Sequence, residues 1–144
     1  ILVWESGLLR QRDLNIPTGK NTNPTGSMLF KKGRKKDIDQ RHFFRNEVFN
    51  LLEWNPDIKT HLSHLERASA IFKIIVQGAD KGNFTLKLTH NTKTNTATYK
   101  QKNSMTSISW GNAKDAIAKK ELIGKTVKLY KNDKFNDQFV LVFE

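Results

Sequence analysis

Alternating apolar and polar residues predict β-strands along most of the chain. Residues 84–88 alternate large apolar side chains with threonine and lysine, which is the period of a strand with one solvated face. Residues 71–76 and 139–143 are short apolar runs rich in β-branched or aromatic residues, as in strands buried on both faces. Weaker alternation predicts four further strands, over residues 2–4, 27–30, 106–110 and 126–130. The pattern therefore predicts seven strands.

Two short helices are predicted between these strands. Apolar residues at helical spacing over residues 44–52 predict a helix that begins near Asp39 and ends at the Trp-Asn-Pro sequence 54–56. A second helix is predicted over residues 113–117, with Asn112 as its N-cap.

The turns and the balance of elements predict the fold class. Residues 78–82 and 131–134 carry the glycine and polar signals of turns between antiparallel strands. Many short strands with few helices are typical of a closed or nearly closed barrel. We therefore expect one mainly β domain over residues 1–144, a seven-stranded antiparallel barrel with two short helices.

The charge balance of the chain indicates a class of partner. Twenty-five Lys and Arg residues oppose fourteen Asp and Glu residues, which gives a net charge of +11. A field of this sign concentrates polyanions, so nucleic acid is the first partner to consider. The alternative is a basic surface without a partner.

Composition also excludes several classes of protein. The chain has no cysteine, which excludes disulfides, cysteine-ligated zinc and a thiol nucleophile, and it is compatible with a reducing cytoplasm. No apolar run approaches the ~20 residues that cross a bilayer, so no membrane partner is expected. The chain begins with Ile1 and not with Met, and we expect it to be a domain excised from a longer protein.

Two long polar segments, residues 6–26 and 89–104, do not fit the core pattern. No carboxylate occurs between Lys81 and Lys114, and long loops in a compact domain are usually functional or disordered. Their Arg, Gln and Asn side chains match base edges in a major groove, and their Lys and Thr side chains suit phosphates. The candidate DNA-binding residues are Arg10, Gln11, Arg12, Asp13, Asn15, Lys20, Asn21 and Asn23 in the first segment, and His90, Asn91, Lys93, Tyr99, Lys100, Gln101, Lys102 and Asn103 in the second.

Several of these residues have an alternative role. Asp13 is suited either to accept a hydrogen bond from cytosine N4 or to orient a neighbouring arginine. Each Asn and Thr is equally suited to bond its own backbone in a turn. The cationic run 31–36 fits phosphate contact or a solvated face, Tyr99 fits base stacking, and Trp110 fits the core.

Catalytic constellations are incomplete along the chain. The string 57–59 has an acid and a lysine but lacks the second acidic strand of a metal-dependent nuclease. His61 and His64 are three residues apart, yet Glu66 alone does not complete a metal site with them. His90 lacks the lysine spacing of phospholipase-D-type nucleases. We therefore predict a chain without catalytic, metal or cofactor sites.

A family resemblance is carried by the carboxyl-terminal half. The pair Trp110-Gly111, a short helix and the turn and strand at 122–130 resemble the closing half of a B3-type domain. Residues 7–17 and 21–28 look like the amino-terminal part of a bacterial module of this kind. As a whole, the chain resembles the B3-like effector domains of type II restriction endonucleases.

The resemblance implies a seven-stranded pseudobarrel that grips the major groove between two arms. The N-arm corresponds to residues 10–23 and the C-arm to residues 90–104. The implied function is sequence-specific recognition of double-stranded DNA in the bacterial cytoplasm, in partnership with the nuclease domain of the parent chain and without a cofactor. Two alternatives stay open: an RNA-binding module, which expects exposed aromatic residues on a sheet face, and a free-standing metal-dependent nuclease.

Overall fold

A computed structural model describes residues 1–17, 19, 25–58 and 61–144 of the chain. The described part is mainly β, and eight strands form one sheet. The strands are β1 (Leu2–Glu5), β2 (Ser27–Leu29), β3 (Asn55–Asp57), β4 (Leu62–Val76), β5 (Ala79–Asn91), β6 (Thr106–Ser109), β7 (Val127–Lys131) and β8 (Gln138–Phe143).

The sheet has one continuous path of seven strands in the order β1-β7-β8-β4-β5-β6-β2, and β3 pairs with β4 outside that path. All seven predicted strands are present, which confirms the mainly β class. The expectation of a wholly antiparallel sheet is wrong, because β4 and β8 run parallel over residues 71–76 and 138–143. A parallel pair needs a long crossover, and here the whole stretch from β5 to β7 separates the two strands.

The sheet curls so that its two end strands face each other across the core. Trp4 of β1 and Phe30, which directly follows β2, make an edge-to-face contact with ring centroids 5.3 Å apart. Phe44 packs against both rings, at 5.6 and 5.0 Å. These three aromatic side chains fill the opening of the half-barrel, so the ends of the sheet are held by packing.

The long β4–β5 hairpin turns at Gln77 and Gly78. Both residues have positive φ, 49° and 84°, as the tight turns that suit the twist of a hairpin require. The turn predicted at residues 78–82 is therefore shorter and lies earlier, since β5 already begins at Ala79.

Helical segments are single turns. The first predicted helix is one π-helical turn, Phe44–Val48, and Leu51 beyond it is exposed. A helix that was not predicted, α1 (Ala97–Lys100), lies inside the second polar segment. In the described part of the chain, no helix is long and apolar enough to span a membrane.

The second predicted helix forms with a different start. A 3-10 turn, Gly111–Ala113, leads into α2 (Lys114–Ile117), so Asn112 lies inside the helical segment. Asn112 as an N-cap is therefore wrong. Trp110 holds the position before the segment because its buried ring fixes the chain there.

Candidate nucleic-acid interface

The two polar segments connect different pairs of strands. We call residues 6–26 arm 1 and residues 90–104 arm 2. Arm 1 joins β1 to β2, which are the two ends of the strand path. Arm 2 joins β5 to β6, and β6 in turn pairs with β2. Arm 1 enters β2 at Ser27, which pairs with Ser109, whereas arm 2 enters β6 at Thr106, beyond the Leu29–Ser107 pair. The two arms therefore lie at opposite ends of the short β2–β6 pair.

The stem of arm 1, which we define as residues 9–15, is anchored in the core. Leu9 and Leu14 are buried, and Leu9 exchanges two backbone hydrogen bonds of 2.7 and 2.8 Å with Lys125 and Gly124. Trp110 holds both legs of the arm: its indole Nε1 donates to the carbonyl of Asp13, and its backbone N–H donates to the carbonyl of residue 26, each at 2.8 Å. The arm is therefore fixed at its base.

Side chains at the tip of this stem are exposed. Gln11 and Arg12 are exposed, and Arg12 has no ion pair or side-chain hydrogen bond with the described residues. The Arg10 guanidinium lies 3.7 Å from the Asp13 carboxylate, which also accepts a 2.9 Å bond from the Arg10 backbone. Of the two predicted roles for Asp13, this geometry favours orienting the arginine.

Asn15 closes the arm from inside. Asn15 has a backbone φ of 59° and is only 4% exposed. Its Oδ1 accepts a 2.9 Å hydrogen bond from the Gly26 backbone N–H. Asn15 thus has the turn-forming role, and its side chain is not available to a ligand in this arrangement. The three candidates Lys20, Asn21 and Asn23 lie outside the described residues.

The base of arm 2 is a buried polar contact. His90 is 7% exposed, and its Nδ1 lies 2.8 Å from the Thr106 hydroxyl on the neighbouring strand. Burial lowers the pKa of His90 to about 4, although the carboxylate of Glu66 opposes the shift. His90 as a DNA contact is therefore corrected to a structural role. It joins the two strands from which the arm emerges.

Most other candidates of arm 2 are exposed around α1. Thr96 caps this helix by accepting a 3.2 Å bond from the Tyr99 backbone. Asn91 makes a turn, since its Oδ1 accepts a 3.0 Å bond from the Lys93 backbone. Among the candidates of this arm, the exposed side chains are those of Lys93, Lys100, Gln101, Lys102 and Asn103.

Three consecutive residues from outside the arm hold arm 2 in place. Gln40 Nε2 donates to the Lys102 carbonyl at 2.9 Å, and Arg41 Nη1 donates to the Tyr99 carbonyl at 3.3 Å. The Arg41 guanidinium also lies 4.4 Å from the centroid of the Tyr99 ring, and His42 Nε2 lies 2.9 Å from the Tyr99 hydroxyl. We call residues 40–42 the clamp. Tyr99 is thus engaged within the protein on its ring and its hydroxyl.

An acidic residue orients the clamp. Asp39 binds the Arg41 side chain through both carboxylate oxygens, at 2.9 and 2.8 Å. Mainly because of these hydrogen bonds, the pKa of Asp39 falls to about 2. The pair therefore keeps both charges throughout the neutral and mildly acidic range, and the arginine stays directed at arm 2.

The cationic run, residues 31–36, is held to arm 2 and to the core. Gln40 Oε1 accepts a 2.9 Å hydrogen bond from the Lys32 backbone, while its Nε2 holds arm 2. Trp4 Nε1 donates to the Lys31 carbonyl at 2.8 Å, which ties the run to the core. Gly33 lies so close to β1 that a Cβ atom there would overlap the Glu5 carbonyl oxygen, so a side chain at this position would displace the run.

One continuous concave surface results. A groove of about 360 Å³ is lined by arm 1, the end of β2, the cationic run and Gln40. A depression of about 340 Å³ shares Lys32 and Gln40 with it and extends to Lys102 of arm 2. The concave surface is defined as these two cavities with the exposed tips of both arms.

Positive charge dominates the concave surface. Three acidic residues line it: Asp13 and Asp39 are paired with arginines of the same segments, and exposed Asp37 makes no ion pair with the described residues. Lysines that make no ion pair with the described residues lie along it, namely Lys31, Lys32, Lys36, Lys100 and Lys102. The arrangement suits a polyanion that runs across the surface from one arm to the other.

The residues considered above for a metal site do not form one within the described part of the chain. Within residues 1–17, 19, 25–58 and 61–144, no group of three His, Asp or Glu side chains is placed to hold a metal ion. The Asp57 carboxylate makes an ion pair of 2.9 Å with Arg67, and Lys59 lies outside the described residues.

Comparisons with protein-family models, with curated proteins and with solved structures find no match for this chain. The strand that ends before Trp110-Gly111, the short helix and the turn at Gly124 follow one another in the order that a B3-type domain implies. This order alone identifies no family, so the resemblance stays a prediction.

The clamp is the part of the site that the sequence did not reveal. For Asp39 and the three clamp residues, the sequence predicts only the start of a helix. One local signal exists, because Asp39 and Arg41 are two residues apart and the structure pairs their side chains. That signal predicts a local ion pair but not its contact with Tyr99, which lies 58 residues further along the chain.

Proposed function

We propose that this chain binds double-stranded DNA at a specific sequence, across the concave surface between arm 1 and arm 2. The observation that carries the proposal is the position of Gln40, which bonds the cationic run with one end of its amide and arm 2 with the other. Gln40 thereby holds arm 2 beside the cationic run, and this run lines the same groove as arm 1, so both polar arms border one basic surface.

The roles within the surface follow from the shape of the side chains. The exposed guanidinium of Arg12 presents a fork that matches the O6 and N7 acceptors of guanine, and Gln11 beside it matches adenine. The lysines of the run and of arm 2 are compact point charges, which suit phosphates. Lysine contacts would supply salt-sensitive affinity, and the tip of arm 1 would supply sequence preference.

The resemblance extends this proposal to a biological role. A B3-like effector domain of a restriction endonuclease recognises the target sequence while a separate nuclease domain cuts. We propose the same division of labour here, with the nuclease domain on the parent chain. The chain itself would then leave duplex DNA intact with Mg²⁺, Mn²⁺ or no metal; cleavage that is lost on changing Asp57 would contradict this.

The decisive experiment is selection from a random duplex pool, followed by sequencing of the retained DNA. We expect an enriched motif of a few base pairs and a preference for it over scrambled duplex of ~10³-fold or more at physiological salt. Equal affinity for all duplexes, or a preference for single-stranded RNA, would contradict the proposal. The second result would favour an RNA-binding module.

A further inference from the structure

Two exposed leucines border the groove between arm 1 and the cationic run. Leu8 is 68% exposed and Leu29 is 48% exposed, and both line the groove of about 360 Å³. Their neighbours Leu9 and Met28 are each 3% exposed. The buried neighbours fix the backbone on both sides of the groove, so both leucines are held outward by anchored segments.

Exposure alone does not define a site, since single apolar side chains are common on protein surfaces. The position of these two distinguishes them. Arg10, Lys31 and Lys32 line the same groove, so an apolar patch is bordered by cations in the middle of a surface proposed to face DNA. Leu51 is exposed to a similar extent, 57%, but does not line this groove.

The chemistry of the duplex limits what fits such a patch. Phosphates would pair with the cations at the border, while hydrogen-bonding base edges gain nothing from leucine side chains. In the major groove, the C5-methyl group of thymine is the apolar feature that each A·T pair presents. A patch of two leucines beside phosphate-binding cations therefore complements a thymine methyl group.

We propose that Leu8 and Leu29 contact the 5-methyl group of a thymine in the bound sequence, and so contribute to specificity. This inference rests on the proposed function and names one feature of the sequence that the surface reads. Burial of one methyl group corresponds to about a fourfold change in affinity.

The test uses the duplex obtained by selection. Each thymine is replaced in turn by deoxyuridine, which removes only the methyl group, and the Kd is measured at one salt concentration. For the unaltered protein, we expect a loss of about threefold to fivefold at one or two positions and no change at the others. The same replacements are then measured with Leu8→Ser, Leu29→Thr and the control Leu51→Ser.

The leucine variants separate a direct contact from an effect on DNA shape. If the contact is direct, Leu8→Ser or Leu29→Thr removes the difference between thymine and deoxyuridine, whereas Leu51→Ser preserves it. Since all three side chains are exposed, thermal unfolding should be nearly unchanged, and this is checked for each variant.

The outcomes are distinguishable. An effect of deoxyuridine that persists in both groove variants, no effect at any thymine, or a selected motif without an A·T pair would overturn the methyl contact and leave duplex recognition intact. A leucine-dependent gain from 5-methylcytosine without any effect of deoxyuridine would overturn the choice of thymine. Failure to select any duplex would remove the proposed function together with this inference.

Discussion

Arm 1 and arm 2 have similar compositions but are held in different ways. The stem of arm 1 contributes Leu9 and Leu14 to the hydrophobic core and is bonded through both donors of Trp110. Arm 2 contributes no large side chain to that core beyond its base, and the polar side chains of the clamp hold it from outside.

The difference separates folding from binding. The position of residues 9–15 of arm 1 depends on the core, so we expect it to be lost only when the domain unfolds. Arm 2 depends on a few partly exposed hydrogen bonds, each of which contributes about 1 kcal/mol, so it can open while the sheet stays intact. Changes near arm 1 should therefore alter stability, and changes in the clamp should alter order and binding.

The largest effect is expected from the stem of arm 1. Leu14 is fully buried, so Leu14→Ala leaves a cavity and should lower the free energy of unfolding by about 2–5 kcal/mol. Chemical denaturation measures the change. Leu51→Ala is the matched control, because its side chain is exposed and its loss should cost less than about 0.5 kcal/mol. Equal costs for the two variants would show that the stem of arm 1 is not part of the core.

The tip of arm 1 should act on binding alone. Arg12→Ala should cost about 1–3 kcal/mol on the selected duplex and relax preference at one base position. Arg10→Ala should cost less, because Asp13 already neutralises part of its charge. Affinities for the selected and the scrambled duplex are compared for each variant. If neither variant changes their ratio, arm 1 does not read bases and the specificity comes from elsewhere.

The clamp should control the order of arm 2. Gln40→Ala removes the bonds to Lys32 and Lys102, so backbone amides over residues 97–103 should exchange with solvent faster, while those of Leu9 and Gly124 should not. Affinity for the selected duplex should fall about fivefold, which corresponds to the loss of about one hydrogen bond.

A suitable control for the clamp is Gln138→Ala. Gln138 is the first residue of β8, its side-chain amide oxygen accepts a hydrogen bond from Asn132, and it lies outside the concave surface. Its exchange pattern in arm 2 and its affinity should match those of the unaltered protein. Unchanged exchange over residues 97–103 in Gln40→Ala would show that arm 2 is ordered without the clamp.

Acid should weaken the base of arm 2 through His90. Its pKa is about 4 in the folded state and near 6.5 ordinarily, so between these values the unfolded chain takes up a proton that the folded chain does not. The free energy of unfolding should therefore fall as the pH drops from about 6.5 towards 4. The slope should stay below the roughly 1.4 kcal/mol per pH unit of one full proton, because the unfolded chain never binds a whole proton more than the folded chain at any pH between these two values.

Denaturation at a series of pH values measures this slope. The variant His90→Gln lacks the titrating group, and its free energy of unfolding should depend less on pH over the same range. Above pH 7 the unaltered protein should show no contribution from His90, because both states are then neutral. An identical pH dependence in the two proteins would contradict the burial of a neutral imidazole.

The smallest effect is expected for single lysines of arm 2. Lys100→Ala should weaken all duplexes alike and reduce the salt dependence of binding by about one unit. Lys87→Ala is the control, because Lys87 is exposed but borders a different depression, beside β3. Affinity measured over a salt series separates the two, and an equal slope for both variants would place Lys100 outside the phosphate contacts.

Much of the sheet could be predicted because strand signals are local. A strand that packs on the core shows its burial in its own sequence. The alternation at residues 84–88 and the apolar runs at 71–76 and 139–143 are such signals, and each of the three segments lies in a strand. The strand β3 and the first half of β4 were missed, because residues 62–70 are mostly polar and bury only alanines fully. Residues 62–70 form a strand because their backbone pairs with β3 and β5. Such pairing does not depend on the side-chain pattern, so the pattern does not predict it.

The candidate site was predicted as two segments but not as one surface. Composition and length identified both arms, since long polar loops in a compact domain are usually functional or disordered, but they did not show that Leu9 and Leu14 of arm 1 belong to the core. Asn15 and His90 were assigned to ligand contact on residue type alone, and only their burial and bonding partners reveal a structural role. Residue type states what a side chain can bind and not which partner it meets.

The sequence by itself determined the mainly β class, the basic charge and the two polar arms, because each follows from neighbouring residues or from composition. The tertiary structure decided the parallel pairing of β4 with β8, the burial of His90 and the clamp on arm 2. These depend on contacts between residues far apart in the chain, such as the 62 residues between Gln40 and Lys102. Such contacts form only when the whole sheet curls, and the local pattern of apolar and polar residues does not predict them.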